Sequence, residues 1–311
     1  MEPRTGRVRA VVNSRLAFAA AFPPGSTIKP FSALVALRTG EIANSSRILC
    51  RERYVHEDFE TVCSHPADLP PFGTPEALAY SCNYYFGKLG EQMRESSFNS
   101  TLAEFGFGRQ TGINWIDDEG EVAGKLPERQ WRAQNALGES DQIQATPIQL
   151  LTAYSALVNG GHLFVPRIAS GKDFVPQPRA EIRIDDQHRQ LIIEGMRGSV
   201  RYGTAEGARL HSLPLYVFGK TGTSTQIGGF RTQGWFLGFA AALDDDAEQN
   251  QAAPENVSLA LLVFLKRGRG SDAAELARPI FETYIRERER EGRGDWGTGE
   301  RRDVGTRRGE D

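Results

Sequence analysis

The sequence predicts an α/β fold: an antiparallel sheet flanked by helices, with a mainly helical subdomain inserted between its strands. Two observations carry this expectation. Apolar, strand-like runs at residues 215–218, 235–243 and 257–265 fall close together in the last third of the chain and are divided by turns. Helical patterns dominate residues 40–200, where Gly and Pro punctuate short segments. A strand near the N-terminus is expected to join that sheet, with the first and last helices covering its faces.

The elements follow in order. Residues 5–12 alternate polar and apolar side chains after Gly6, which reads as a strand. Phe22-Pro23-Pro24-Gly25 is a turn that runs into an apolar helix over residues 31–37, stopped at Thr39-Gly40. Residues 41–75 are rich in Cys, His and Pro, lack a sustained period, and are expected to be irregular. A helical pattern starts at Pro75, and Ser81-Cys82-Asn83 leads into another over residues 84–93. The clearest helix is residues 147–158, with Pro147 at its start and Asn159-Gly160-Gly161 at its end. Residues 185–200 form a further helix, residues 244–254 a polar connection between strands, and a helix from about residue 272 to 286 closes the fold.

A chain of 311 residues buries a sizeable core without metal or disulfide staples. Its 39% hydrophobic and 25% charged residues exclude wholesale disorder, and 33 Gly with no three-residue period exclude a collagen-like chain. The formal net charge of -3 supplies no positive field, so no nucleic-acid partner is expected. No apolar run approaches the roughly 18 residues that span a bilayer, and no basic leader precedes an apolar stretch, so neither anchor nor signal peptide is visible. The folded domain is expected over residues 1–288, and residues 289–311, an Arg- and Gly-rich charged stretch, as a disordered tail.

Three short motifs occur in order: Ser26-Thr27-Ile28-Lys29, Ser81-Cys82-Asn83 and Lys220-Thr221-Gly222. Each alone is no more than a helix cap, a loop or a turn. Together, with the first at a loop-to-helix junction and the last in a strand, they point to one site. If Ser26 opens a helix, Lys29 lies one turn on over the same face, so its amine reaches the serine hydroxyl. A lysine serves as base only when its pKa falls far below the usual value of about 10.4. Burial and a second ammonium, Lys220, both push it down. Pro30 sits in the first helical turn, where its missing N–H costs little. An extended loop would aim Ser81 and Asn83 together into a cleft, with Cys82 turned outward or into the core. Lys220, Thr221 and Thr223 lie on an edge strand that an extended acyl-peptide could join, with Gly222 allowing close approach.

The ordered triplet resembles the transpeptidase domain of penicillin-binding proteins. The resemblance extends to Phe22-Pro23-Pro24-Gly25, Ala136-Leu137-Gly138-Glu139, Thr146-Pro147-Ile148-Gln149-Leu150, Asn159-Gly160-Gly161, Lys220 to Ser224 and residues 234–239, so it covers nearly everything except the tail. It implies a penicillin-binding transpeptidase or β-lactamase-like fold. It also implies a peptidoglycan D,D-transpeptidase that cross-links D-Ala-D-Ala stem peptides through a serine acyl-enzyme, is acylated by β-lactam antibiotics and needs no cofactor. D,D-carboxypeptidase activity stays open. By the same resemblance Ser26 is the nucleophile and Lys29 its base, Ser81 relays protons to the leaving amine, and Asn83 holds the substrate amide. Lys220 with the Thr221 and Thr223 hydroxyls receives the terminal carboxylate, and the backbone N–H groups of Ser26 and Thr223 form the oxyanion hole. The implied place of action is the periplasmic, extracytoplasmic face of the cell membrane, so the natural chain is expected to begin earlier, with a membrane anchor.

Two other readings compete. A serine β-lactamase adds a water-activating base; the Glu95 to Asn99 string follows Asn83 too closely to supply the class A element, and class D enzymes carry an apolar residue at the Asn83 position. A penicillin-sensing or scaffolding domain keeps the pocket without turnover, but the intact set of Ser26, Lys29, Ser81, Asn83 and Lys220 argues against a decayed site. No metal site is expected: Cys50, His56, Cys63 and His65 match no common zinc-ligand spacing. In an exported protein a Cys50–Cys63 disulfide is favoured over a metal. Trp115, Trp131 and Trp235 read as core or groove wall, and Glu119 and Glu121 as solvated surface.

Overall fold

Strands rich in aromatic and β-branched residues pair in chain order near the C-terminal end. The computed structural model of the chain describes residues 1–115, 120–128, 131–140, 142–169, 174–225, 232–241 and 256–294. Its first part holds β1 (Arg7–Val8), α1 (Ser14–Phe18), a 3-10 turn (Gly25–Ile28) and α2 (Lys29–Thr39). Next come β2 (Arg53–His56), β3 (Phe59–Val62), α3 (Thr74–Ala79), α4 (Asn83–Gln92) and α5 (Glu95–Glu104). The middle continues with α6 (Pro147–Val158), β4 (His162–Phe164), β5 (Arg167–Ile168), β6 (Pro178–Glu181) and α7 (Asp186–Arg201). The end is β7 (Tyr216–Thr225), β8 (Thr232–Ala241), β9 (Val257–Leu265) and α8 (Gly270–Gly294). Among the described residues, no helix is long and apolar enough to cross a membrane.

The main sheet is antiparallel, in the order β7-β8-β9, and β7 is an edge strand as expected. Its register sets Lys220 opposite Leu237 and Gly222 opposite Trp235. The expected N-terminal strand does not join this sheet: Arg7 and Val8 pair, in parallel, with Arg167 and Ile168 of β5, and the segment meets the main sheet at Met1, which exchanges two 2.8 Å hydrogen bonds with Ala260 of β9. The reason is local. Asn13 takes a left-handed conformation, φ 59°, and caps α1 by accepting a hydrogen bond from Leu16 N, so the chain turns away too soon for a long strand. Residues 41–75 are also more regular than their composition predicts, because β2 and β3 form an antiparallel hairpin, Arg53 opposite Val62 and His56 opposite Phe59. Four-residue strands with one buried side chain between them, Tyr54, leave little periodicity to read.

Helix α2 is the centre of the core. Every residue from Lys29 to Leu37 is buried, so the helix is enclosed on all sides and needs no amphipathic stripe. Phe31 meets Phe105, Phe107 and Tyr154 edge-on, each at 5.1 Å between ring centroids. The Tyr154 hydroxyl in turn donates to Thr27 O at 2.5 Å and ties the 3-10 turn to α6. Gly40 takes φ 78° at the C-terminal end of α2, the left-handed stop expected there.

By internal contacts the chain divides into two units, Met1–Arg278 and Pro279–Asp311. In the second unit, helix α8 continues through Pro279, whose carbonyl accepts from the Thr283 hydroxyl at 2.9 Å, and runs to Gly294. The expected tail therefore starts as helix at residues 289–294, and the rest of it, like the connection at residues 244–254, lies outside the described residues.

Edge strand β7 meets the 3-10 turn backbone to backbone. A Cβ on Gly222 would lie 2.6 Å from Thr27 Cγ2 and 2.9 Å from Pro24 O. Gly222 is thus required by this packing, and it also lines the cleft, so the packing is a second constraint beside the expected approach of substrate to its bare backbone. Gly25, at φ +54°, is closed in from the other side: a Cβ there would lie 2.5 Å from Thr223 O. Gly222→Ala should force the turn off the strand and cost about 1–3 kcal/mol of stability. Thermal unfolding measures it, and an unchanged melting temperature would count against this packing.

Candidate active site

A 3-10 turn eclipses side chains three apart, so the turn over Gly25–Ile28 brings Ser26 and Lys29 to one face at the start of α2. Ser26 is half-buried, whereas Lys29 is fully buried. The Lys29 amine donates to Ser81 O at 2.8 Å, to Ser81 Oγ at 3.2 Å and to Asn83 Oδ1 at 2.6 Å. Lys220, also fully buried, donates to the same Ser81 Oγ at 2.9 Å and to Thr221 O at 2.9 Å. Among the described residues no hydrogen bond reaches the Ser26 hydroxyl. The five side chains singled out by the motifs thus converge, with Ser81 at the junction.

The local geometry of the second motif differs from the expected extended loop. Ser81 is left-handed, φ 53°, and Asn83 is already the first residue of α4. The cap of that helix is Cys82, whose Sγ accepts from Tyr85 N at 3.4 Å. A left-handed non-glycine residue carries strain, which persists only where surroundings fix it. Here two lysine amines and the buried Cys82 do so. Asn83 is held on its other side by β3, since its Nδ2 donates to Thr61 Oγ1 at 2.9 Å and Val62 O at 3.1 Å.

Burial governs the charges. It pushes Lys29 from 10.5 down to about 8, against the opposing charges of Glu139, Cys82 and Cys63. Burial also pushes Lys220 well below its usual value, with the Lys29 charge adding to the effect. Desolvation is thus the leading cause of the lowering for both amines. Glu139 is raised above the ordinary carboxylate range by burial, partly offset by Lys29.

These groups border a cleft of about 550 Å³ lined by Ser26, Ser81, Asn83, Glu139, Thr221 and Thr223. Lys220 acts from beneath this surface. Thr221 Oγ1 shares a 2.5 Å hydrogen bond with Thr204 Oγ1, and Thr223 Oγ1 accepts from Gly270 N at 3.0 Å, so both hydroxyls are fixed by neighbouring segments. Tyr202 and Thr204, which also line the cleft, and the Thr61 support of Asn83 are marked by no motif in the sequence. Glu139 belongs to the Ala136-Leu137-Gly138-Glu139 stretch, but its place near Lys29 is a tertiary fact.

A second cluster abuts the site. The ligand atoms of Cys50, Cys63, His65 and Cys82 lie within 4.8 Å of one another, and among the described residues this is the group able to hold a metal ion. The sulfur separations are 3.6 Å for Cys50–Cys63, 3.7 Å for Cys63–Cys82 and 3.4 Å for Cys50–Cys82. The thiols are free, so the favoured Cys50–Cys63 disulfide is not formed. Cys82 is turned inward, the second of the two directions expected for it, and lies fully buried in this cluster. Hydrogen bonding from Cys82 leads in pushing the Cys63 thiol down to about 5.

Two serines and two buried lysines meet here from a helix start, a strained loop and an edge strand. Comparison with known proteins shows the class of fold to which this arrangement belongs. The penicillin-binding protein transpeptidase domain matches residues 1–282, and the chain belongs to that family. The peptidoglycan D,D-transpeptidase MrdA of Acinetobacter baumannii is 29% identical over 301 residues, covering 85% of this chain and 42% of the relative. Stage V sporulation protein D of Bacillus subtilis is 29% identical over 268 residues, covering 76% of this chain and 38% of the relative. The chain thus spans less than half the length of these curated relatives. Among solved structures, Pseudomonas aeruginosa PBP2 in complex with WCK 5153 superposes with a TM-score of 0.70 at 25% identity, over 86% of this chain and 62% of that one. The apo transpeptidase domain of Burkholderia pseudomallei penicillin-binding protein 3 gives 0.73 at 20% identity, over 92% and 86%.

The rate of Ser26 acylation should rise with pH through an apparent pKa near 8, because Lys29 accepts a proton only when neutral and its neutral fraction grows through that value. The pH profile of second-order acylation measures this. A flat profile from pH about 6 to 10 would remove Lys29 as the base.

Proposed function

We propose that the chain is the acyl-transfer domain of a peptidoglycan D,D-transpeptidase, with Ser26 as nucleophile and Lys29, Ser81, Asn83 and Lys220 completing its catalytic set. The observation that carries this reading is the Ser81 hydroxyl shared by Lys29 and Lys220 on the wall of the cleft that Ser26 lines. Neutral Lys29 takes the Ser26 proton as Oγ attacks the penultimate D-Ala carbonyl of a stem peptide. The Ser26–Lys29 hydrogen bond tightens when substrate arrives, as catalytic contacts do. Ser81 accepts from two amines and so keeps its own O–H to donate, which suits it to pass a proton to the departing D-Ala amine. The peptide stays on Ser26 as an ester. The amine of a second stem peptide then attacks that ester, its proton returns through the same groups, and the Ser26 hydroxyl is restored.

The backbone N–H groups of Ser26 and Thr223 hold the oxyanion, in keeping with the close approach of Gly25 and Thr223. One such donor is worth about 10²–10³ in rate. The fixed hydroxyls of Thr221 and Thr223 receive the terminal carboxylate, with buried Lys220 behind them, and Asn83 holds the substrate amide. A β-lactam offers a strained cyclic amide in place of D-Ala-D-Ala and leaves the ester stranded on Ser26. Relatives named as peptidoglycan D,D-transpeptidases support the substrate class, and with it action on the extracytoplasmic face of the membrane.

Intact-mass measurement after penicillin treatment tests the reading. The expected result is one covalent adduct, absent in Ser26→Ala and persisting long after free drug is removed. An adduct that survives Ser26→Ala would overturn the assignment, and rapid release would favour a β-lactamase. Turnover of a D-Ala-D-Ala peptide, with and without an acceptor amine, then separates cross-linking from D,D-carboxypeptidase action and from a sensor that acylates once.

A further inference from the structure

We propose that Arg269 is a further substrate-binding residue of the cleft, supplying the fixed positive charge that the C-terminal carboxylate of a stem peptide meets beside Thr223. The inference deepens the transpeptidase reading and rests on it. Among the described residues lining the cleft, Arg269 is the only lysine or arginine, and the acids Glu139 and Glu206 line it as well. A guanidinium stays protonated in proteins and offers a planar fork of N–H donors matched to a carboxylate. Among the described residues that fork makes no hydrogen bond or ion pair. Arg269 is held instead by its backbone, whose N donates to Asp272 Oδ2 at 2.7 Å.

The two lysines cannot take this part. Lys29 and Lys220 are wholly enclosed, and neither lines the cleft. Lys220 directs its N–H groups to Ser81 Oγ and Thr221 O, both at 2.9 Å. Burial favours its uncharged form. A neutral amine whose hydrogens are already engaged has little to set against an anion.

Contacts with the main sheet fix the place of the arginine. Arg269 immediately precedes α8, and a Cβ on the next residue, Gly270, would lie 2.7 Å from Gly222 O and 2.9 Å from Thr221 Cβ. Consecutive Cα atoms are about 3.8 Å apart, so the root of the arginine side chain stands next to the Lys220-Thr221-Gly222 motif. On the other side Arg269 O presses on Gly234, where a Cβ would overlap it, and Gly268 N donates to Thr232 O at 3.1 Å. The backbone of this turn is thereby clamped to β7 and β8.

Thr223 is oriented for the same anion. Its Oγ1 accepts from Gly270 N at 3.0 Å, which leaves the hydroxyl hydrogen to donate into the cleft that Thr223 lines. A carboxylate there takes one hydrogen bond from Thr223 and a two-pronged pair from Arg269. In a cleft that also carries two acids, one arginine marks where an anion is favoured. Arg269 therefore selects substrates that end in a free carboxylate over those in which that group is amidated or esterified.

The test compares two acylating agents on the full chain: benzylpenicillin, whose carboxylate stands in for that of the terminal D-Ala, and its methyl ester, which lacks the charge. Intact mass against time gives the second-order rate of Ser26 acylation. Arg269→Ala should slow benzylpenicillin roughly 10- to 100-fold, the range expected for hydrogen bonds to a charged group, and leave the ester unchanged. Arg269→Lys, which keeps the charge and loses the fork, should fall between. The side chain is exposed, and both variants keep the backbone contacts of the turn. Equal loss with both agents would mean a disturbed site, and no loss with benzylpenicillin would mean no contact; either result overturns the role of Arg269 and leaves the transpeptidase reading standing. If neither agent acylates Ser26 of the unmutated chain, that reading falls, and the role of Arg269 falls with it.

Discussion

The Ser81 hydroxyl accepts hydrogen bonds from two fully buried lysine amines, and the rest of the site is arranged around that fact. A buried ammonium is costly unless an anion faces it. Among the described residues neither lysine forms a salt bridge, and the nearby acid, Glu139, is itself pushed toward its neutral form. The fold thus drives protons off the amines by enclosing them. That enclosure requires α2, which carries Lys29, to be covered on every side, and β7, which carries Lys220, to lie against the turn before it.

Contact between β7 and the Ser26 turn is made largely by backbone, with the Thr27 methyl also lying over Gly222. Gly25 and Gly222 permit separations that any Cβ would block, and Trp235 Nε1 adds a hydrogen bond to Pro23 O at 3.1 Å from the next strand. Backbone contacts lack rotamers to relax into, so Ser26, the Thr223 backbone and the edge of β7 keep fixed relative positions. This is the preorganisation that oxyanion stabilisation needs, since donors must already point at the developing charge.

The second motif is tied to the sheet through one side chain, Lys220, which donates to the Ser81 hydroxyl. It is a strained loop ahead of α4, and its neighbours on the outer side are a short hairpin and the Cys/His cluster. Asn83 is braced at once by Lys29 from the core and by Thr61 and Val62 from the hairpin. Displacement of the hairpin would therefore be felt at the base. The cleft has one wall held by the main sheet and another whose stability depends on what ties the hairpin down.

The sequence by itself determined the serine–lysine junction, the three motifs and their order, the β7–β9 strands and the helices over Pro147–Val158 and Asp186–Arg201. These are local: capping residues, glycine stops, apolar runs and eclipsed side chains three apart are written within a few residues of where they act. Only the tertiary structure decided that the N-terminal strand pairs with β5, that Gly222 serves packing, and that Lys29 points at Ser81 and Asn83. It also decided the burial that lowers both lysine pKa values, the place of Glu139, and the meeting of Cys50, Cys63, His65 and Cys82. Each of these depends on residues far apart in the chain arriving at one point. Residue spacing gave no sign of that meeting because a hairpin closes the interval between Cys50 and Cys63, and a hairpin with mostly exposed faces writes almost no hydrophobic period into the sequence that forms it.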